Sequence, residues 1–307
     1  MTPDDVINGT RRLLTGCIGK LTSSFGGLAR QTCGGPERAE MLSPGKMLRT
    51  RMAAHLACGA GRARLPALEA ACAATELVHT ASLCHDDIID QATVRRGKPA
   101  LWRLDGATAA VLFGDMLLCE AFALVASTGE SRHVQAFAAR VREVCEAEAE
   151  QEMLLGRQLD EATYLRLARG MTGPLFAFPA SVCGGEDEAL SAALDEAGYR
   201  IGAAYQVADD LLDVAGSEAS AGKTLGTDAC RRKFTLANSS ADGREVARRK
   251  VIELCGSALE VLAPWPGAQK ALSDFYASDL QPVFDHCTEG LDICAGPEKP
   301  SRHKADG

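Results

Sequence analysis

Alanine and leucine recur three and four residues apart along most of this 307-residue chain, and convincing period-two runs closed by Asn-Gly or Asp-Gly turns are missing. A chain patterned this way buries its apolar stripes by packing helix on helix. Starts and stops cut it into long helices. Thr2-Pro3-Asp4-Asp5 reads as a cap with proline and acids in the first turn. A second long helix is expected from Pro66 towards Asp90, interrupted after that by Gly97 and Pro99. Others follow over Ala107–Ser127, Ser131–Gly156, Glu161–Cys183, Glu186–Val214, Arg244–Leu262 and Gly267–Cys287, with Gly184-Gly185 and Gly216 as helix ends. Ser217–Lys233 reads as a loop and Gly296–Gly307 as a disordered polar tail. No 20–50-residue period and no composition shift divides the rest. The expected fold is therefore all-α: one domain over residues 1–295, a bundle of roughly ten or more helices.

With 46% hydrophobic residues the chain is able to bury a large core. A net charge of −8 and the lack of a long basic stretch argue against nucleic acid as a partner. Acidic substrates stay possible where metal ions or local Lys/Arg reverse the sign. The twelve cysteines form no CxxC pair, and Cys84-His85 lacks zinc-ligand spacing, which suits free thiols in a reducing cytoplasm. The acidic start is not followed by an apolar run, so no signal peptide is expected. Ala107–Ala126 is apolar enough to suggest a membrane span. Asp115 and Glu120 inside it favour a buried bundle helix, with transient contact at a membrane surface left open.

One local pattern occurs twice, each time ending an apolar helical stretch: His85-Asp86-Asp87-Ile88-Ile89-Asp90 and Ala208-Asp209-Asp210-Leu211-Leu212-Asp213. On a helix Asp86 and Asp90 share a face, as do Asp209 and Asp213. Like charges at that spacing repel. A hard divalent cation held by carboxylates and substrate phosphates turns the repulsion into a binding site. A single copy reads first as a solvated helix face rich in aspartate; two copies with identical spacing favour metal. Basic residues flank both: Lys46 and Arg49, three apart and expected on one helix face, then Arg95-Arg96-Gly97-Lys98, then Lys223 and Arg231-Arg232-Lys233. Any one of these groups alone reads as ordinary surface charge. Gly45-Lys46 is no P-loop, since the glycine-rich lead and trailing Ser/Thr are missing.

Between Lys46 and Leu236 the chain resembles the trans-isoprenyl diphosphate synthases of the medium- and long-chain type. The resemblance rests on Gly45-Lys46-x-x-Arg49, Glu76 through Asp90 with Arg95-Arg96-Gly97, Phe113-Gly114-Asp115, Glu146-x-Glu148-x-x-Gln151, Tyr205-Gln206 through Asp213, and Gly222-Lys223…Asp228…Lys233-x-Thr235, in that order. It implies an isoprenoid synthase-type bundle around a central cavity and a homodimer. It implies two or three Mg²⁺ ions on Asp86, Asp90, Asp209 and Asp213, with Asp87 and Asp210 in support. Arg95, Lys223 and Lys233 would hold an allylic diphosphate. Lys46, Arg49, His79 and Arg96 would hold isopentenyl diphosphate, and Thr172 and Gln206 would face the developing cation. The chain departs from the family pattern at Met171, where lysine is usual, and at Thr50 and Ala237, where proline is usual.

The implied reaction ionises the allylic diphosphate, adds the isopentenyl double bond to the cation and loses a proton to the departing diphosphate. Product length would follow from the depth of an apolar tunnel below Asp86. Ala81 and Ser82 are small where an aromatic floor would stop a short product, and Val78, Ala74, Ala73, Ala71 and Ala70 continue down the helix. The expected product is therefore C25 or longer, with Phe113 and Phe122 as floor candidates or plain core residues. A terpene cyclase would not need Lys46, Arg49, His79 and Arg96 together. A non-catalytic partner subunit and a C20 synthase are the other readings; Met171 favours the first of these and the retained aspartates oppose it.

Overall fold

A computed structural model describes residues 1–28, 45–61, 65–215, 226–287 and 293. The described residues are overwhelmingly helical: α1 (Pro3–Leu28), α2 (Leu48–Ala60), α3 (Leu65–Ile89), α4 (Leu101–Asp105), α5 (Ala107–Ala126), α6 (Ser131–Met153), α7 (Glu161–Val182), α8 (Glu188–Ala215), α9 (Thr227–Cys230), α10 (Gly243–Val261), α11 (Pro266–Phe275) and α12 (Gln281–Cys287). Their bounds follow the expected ones closely because the end signals act physically. The Asp160 side chain, for instance, accepts from the Thr163 amide at 2.7 Å and caps α7. The tail from Gly296, Gly216 and Lys223 lie outside the described residues.

The centre of the bundle is α7, buried without a break from Gly170 to Ala180. It packs against α2, α3, α6 and α8. The α7–α8 contact is close, backbone against backbone. A Cβ on Gly202 would lie 2.5 Å from the Gly173 Cα, and one on Gly198 would lie 2.5 Å from the Ala177 Cα. Only hydrogen at these two positions, one turn apart, lets the backbones approach this closely. The approach sets α7 side chains beside those of the second aspartate cluster.

Two expectations need refinement. A strand signal was missing, yet Val94–Arg95 pairs antiparallel with Lys98–Pro99. The connection is Arg96-Gly97, with φ of 53° and 71°, a two-residue turn with both residues left-handed. The final helix runs without a gap from Pro266 to Cys287, but Tyr276–Leu280 winds as a π-turn, from which Asp279 pairs with Arg51 at 2.8 Å and His55 at 3.2 Å on α2. Ala81 and Ala74 are wholly buried and Val78 is 3% exposed, because α5 packs directly against α3 and brings buried Phe113 and Leu117 with it.

Candidate active site

The two aspartate clusters end α3 and α8, and they meet. Arg95, on the short ribbon after α3, is held by Asp87, with Nε 2.9 Å and Nη2 2.5 Å from Oδ1. Burial works to lower the pKa of Arg95, but Asp87, Asp209 and Asp86 outweigh it and raise it. One guanidinium thus feels carboxylates from both clusters. A second link runs the other way. Arg231, beyond α8, donates Nη1 to Asp90 Oδ1 of the first cluster and Nη2 to both oxygens of Glu152 on α6 at 2.6 Å.

The carboxylates differ in what they do. Asp86 is pushed up to about 8 by burial, with Glu148 and Asp90 adding repulsion against the help of Arg95. Asp87 is 4% exposed and orients Arg95. Asp210 is 2% exposed; it accepts from Tyr164 Oη at 2.6 Å and Gln206 Nε2 at 2.9 Å, and burial pushes its pKa up. Asp213, expected among the metal ligands, anchors backbone: its oxygens accept from the amides of Gly226 at 3.0 Å and Asp228 at 3.3 Å. Gly226 and Asp228 are thereby held against the end of α8. Lys233 on that segment lies 3.4 Å from Asp228 and 3.6 Å from Asp210. Burial opposes its charge, but Asp210, Asp228, Glu148 and Asp209 hold its pKa above the usual lysine value.

Thr172 on α7 donates Oγ1 to Gln206 Oε1 at 2.7 Å, and Gln206 passes the chain on to Asp210. This polar ladder depends on the close α7–α8 approach. Met171, beside Thr172, packs into a small apolar cluster with Ala147 and Leu167. Glu148 and Glu152 belong to the site as well. Burial raises the pKa of Glu148, with Asp90 and Glu152 adding to it against Lys233 and Arg231. The Glu-x-Glu-x-x-Gln pattern was the available signal for Glu148; Glu152 had none.

The second basic group is also assembled. His79 is held well below the usual histidine pKa by burial and by Arg49, Arg96 and Arg95. Arg49 is 8% exposed, stacks on the Phe176 ring at 5.2 Å, and leaves its buried Nε without a partner. Arg96 lies over Gly45, where a Cβ would sit 3.0 Å from Nη2. Lys46 does not share a helix face with Arg49, as its spacing suggested: α2 starts at Leu48, and Lys46 is exposed in the preceding turn, its carbonyl accepting from Arg51 Nε at 2.9 Å. Among the described residues, the non-glycine residues with positive φ, namely Met47, Gln91, Arg96 and Arg232, adjoin these site segments. Such conformations cost about 1–3 kcal/mol each and gather where function demands them.

The donor set suits a hard divalent cation: oxygen-only ligands, crowded and desolvated. Among the described residues no three His, Cys, Asp or Glu side chains form a complete protein cage. Magnesium does not require one, since it takes one or two carboxylates plus phosphate and water. A cavity of about 610 Å³ lined by Ala67, His133 and Glu186 lies near the opposite end of α3 and contains none of this machinery. Ile89, Val94, Met153 and Val214 are exposed, each within a few residues of the site. Side chains of Ser82 and Phe122 are partly buried; Ser82 Oγ donates to the His79 carbonyl, and Phe122 meets Phe137 edge-on at 5.1 Å.

A family model described as Polyprenyl synthetase matches residues 37–257. The short chain isoprenyl diphosphate synthase of Methanothermobacter thermautotrophicus is 38% identical over 201 residues, 62% of this chain and 62% of that protein. The octaprenyl diphosphate synthase of Haemophilus influenzae is 34% identical over 165 residues, 52% of this chain and 50% of that one. The alignments thus span between half and about three fifths of these relatives. Among solved structures, a polyprenyl synthase from Caulobacter crescentus CB15, complexed with calcium and isoprenyl diphosphate, superposes with a TM-score of 0.69 at 27% identity, covering 90% of this chain and 98% of that chain.

Proposed function

Because the chain belongs to the polyprenyl synthetase family, we propose that it joins isopentenyl diphosphate head to tail to an allylic diphosphate, with a divalent cation, Mg²⁺, in the site. The observation that carries this reading is the meeting of both aspartate clusters at Arg95, which Asp87 holds and which Asp86 and Asp209 also face. Asp86, Asp90 and Asp209 are the residues that would hold the metal, which when bound supplies Lewis-acid charge at the leaving diphosphate. Arg95, fixed by Asp87, and Lys233, fixed between Asp210 and Asp228, present preorganised positive charge to that same group. Lys223 would join them. Arg49, His79 and Arg96, with Lys46 at the entrance, receive the second diphosphate; the unpartnered Arg49 Nε is a donor awaiting an anion. Thr172 and Gln206 direct oxygen dipoles towards the carbocation. The proton lost at the end goes to the departing diphosphate, so no side-chain base is required.

Chain length is open to two readings. The small Ala81 and Ser82 support a product of C25 or longer. The closed packing at Ala81, Val78 and Ala74 favours C20, since a longer tail must displace side chains such as Phe113 and Phe122. Relatives named as short-chain and octaprenyl synthases support either. A homodimer is part of the proposal. Helix α5 is long and apolar enough to cross a membrane, only 33% of its most apolar window is buried, and Val111 and Leu112 stand exposed on it. A second copy covering this face accounts for it, and brief contact with a membrane during product release uses the same kind of surface. A reducing, cytoplasmic setting suits the free thiols, among them exposed Cys58 and Cys119.

The test is incubation of the purified protein with labelled isopentenyl diphosphate, Mg²⁺ and C10, C15 or C20 primers, followed by product sizing. Elongation that needs the metal is expected. Absence of elongation with every primer refutes the enzyme reading and leaves that of a non-catalytic partner subunit.

A further inference from the structure

The segment from Gly226 to Lys233 is fastened across the site at both ends. Asp213 accepts its first amides, and the Arg232 carbonyl accepts from the Gly156 amide at 2.9 Å on the turn after α6. Arg232 takes a left-handed φ of 55° to make this crossing, which places Arg231 and Lys233 on different carboxylate groups. Lys233 serves the α8 cluster. Arg231 reaches 141 residues back in sequence to Asp90 and spans to Glu152 with a two-pronged grip. Its side chain is 21% exposed and that of Asp90 29%, so the pair is open to exchange with solvent.

Asp90 cannot give the same oxygen fully to a guanidinium and to a metal ion. We infer that Arg231 is a positioning residue that competes with the divalent cation for Asp90, and that metal binding there unfastens the 226–233 segment from the ends of α3 and α6. Arg231 thereby keeps Asp90 neutralised and the segment closed while the site is empty of metal, and yields both when metal and diphosphate arrive together. The inference rests on the metal reading above but does not follow from it: Asp90 would serve as a ligand equally well with no cation tethered beside it.

Binding of Mn²⁺ to the full chain, followed by electron paramagnetic resonance with inorganic pyrophosphate and no isoprenoid, tests it. Hydrogen exchange over residues 226–235 gives the second readout. Arg231→Gln is expected to tighten Mn²⁺ by about fivefold, the size of losing one partly exposed ion pair. Arg231→Lys keeps the charge and loses the fork, and is expected to tighten it by about twofold on the same basis. In the unaltered protein Mn²⁺ speeds exchange in the segment; in Arg231→Gln exchange is fast from the start and indifferent to metal. If Arg231→Gln does not fold, Arg231→Lys carries the test. Unchanged Mn²⁺ affinity in Arg231→Lys, or a segment that Mn²⁺ protects in the unaltered protein, overturns the competition. Failure of the unaltered protein to bind Mn²⁺ at all overturns instead the metal reading beneath it.

Discussion

Replacing Gly202 by alanine should damage the site from a distance. The new methyl would lie 2.5 Å from the Gly173 Cα, 2.7 Å from its nitrogen and 2.9 Å from the Thr172 carbonyl carbon, where ordinary contact starts at 3.4 Å. These are backbone atoms, so α7 and α8 must separate by about 1 Å to restore normal contact. Thr172 Oγ1 and Gln206 Oε1, now 2.7 Å apart, would then stand roughly 3.7 Å apart, beyond hydrogen-bond reach. Overpacking costs about 1–3 kcal/mol, and the better helix propensity of alanine returns about 1. A net loss of about 0–2 kcal/mol corresponds to a melting point lower by up to roughly 3 °C, from an unfolding entropy of about 2.1 cal/mol/K per residue. Turnover should fall further than stability explains, because the Thr172–Gln206–Asp210 ladder breaks. Calorimetry with steady-state kinetics on the folded variant measures both. A variant with unaltered melting point and unaltered turnover would refute the claim that helix contact at Gly202 sets the ladder.

Two further outcomes follow from individual residues. His79 stays neutral in the folded chain because burial and three arginines hold its pKa well below the usual value, while the unfolded chain takes up a proton near the ordinary histidine pKa. The unfolded state therefore binds more protons in acid, and stability falls as pH drops below about 6.5, by up to about 1.4 kcal/mol per pH unit. Urea unfolding at pH 5, 6 and 7 should show that slope reduced in His79→Gln; an identical slope would place the loss elsewhere. Ala81→Phe should shorten the product of the elongation assay, since it inserts a ring at a wholly buried position on α3, at a stability cost of about 1–3 kcal/mol. A folded variant with unchanged product length would show that the growing tail does not pass Ala81.

Helix positions were legible because period and end signals are local. The Asp-Asp-x-x-Asp pairs were legible because identical spacing places carboxylates on matching faces. The ribbon around Arg96 was not, since a left-handed arginine carries no turn signature of its own. Likewise, nothing local announces that Asp213 caps the returning segment, or that Glu152 meets Arg231, 79 residues away. Tunnel depth below Asp86 is not legible from the α3 alanines alone, for a physical reason. Side-chain volume on one helix says nothing of how near its neighbour comes, and α5 comes close.

The shared use of the two clusters is tested most directly by calorimetric binding of inorganic pyrophosphate with Mg²⁺ to the unaltered protein, Asp86→Asn and Asp209→Asn. Binding that requires the metal and is lost in each variant singly is the predicted result. Retention of metal-dependent pyrophosphate binding in both variants would mean that α3 and α8 do not serve one site.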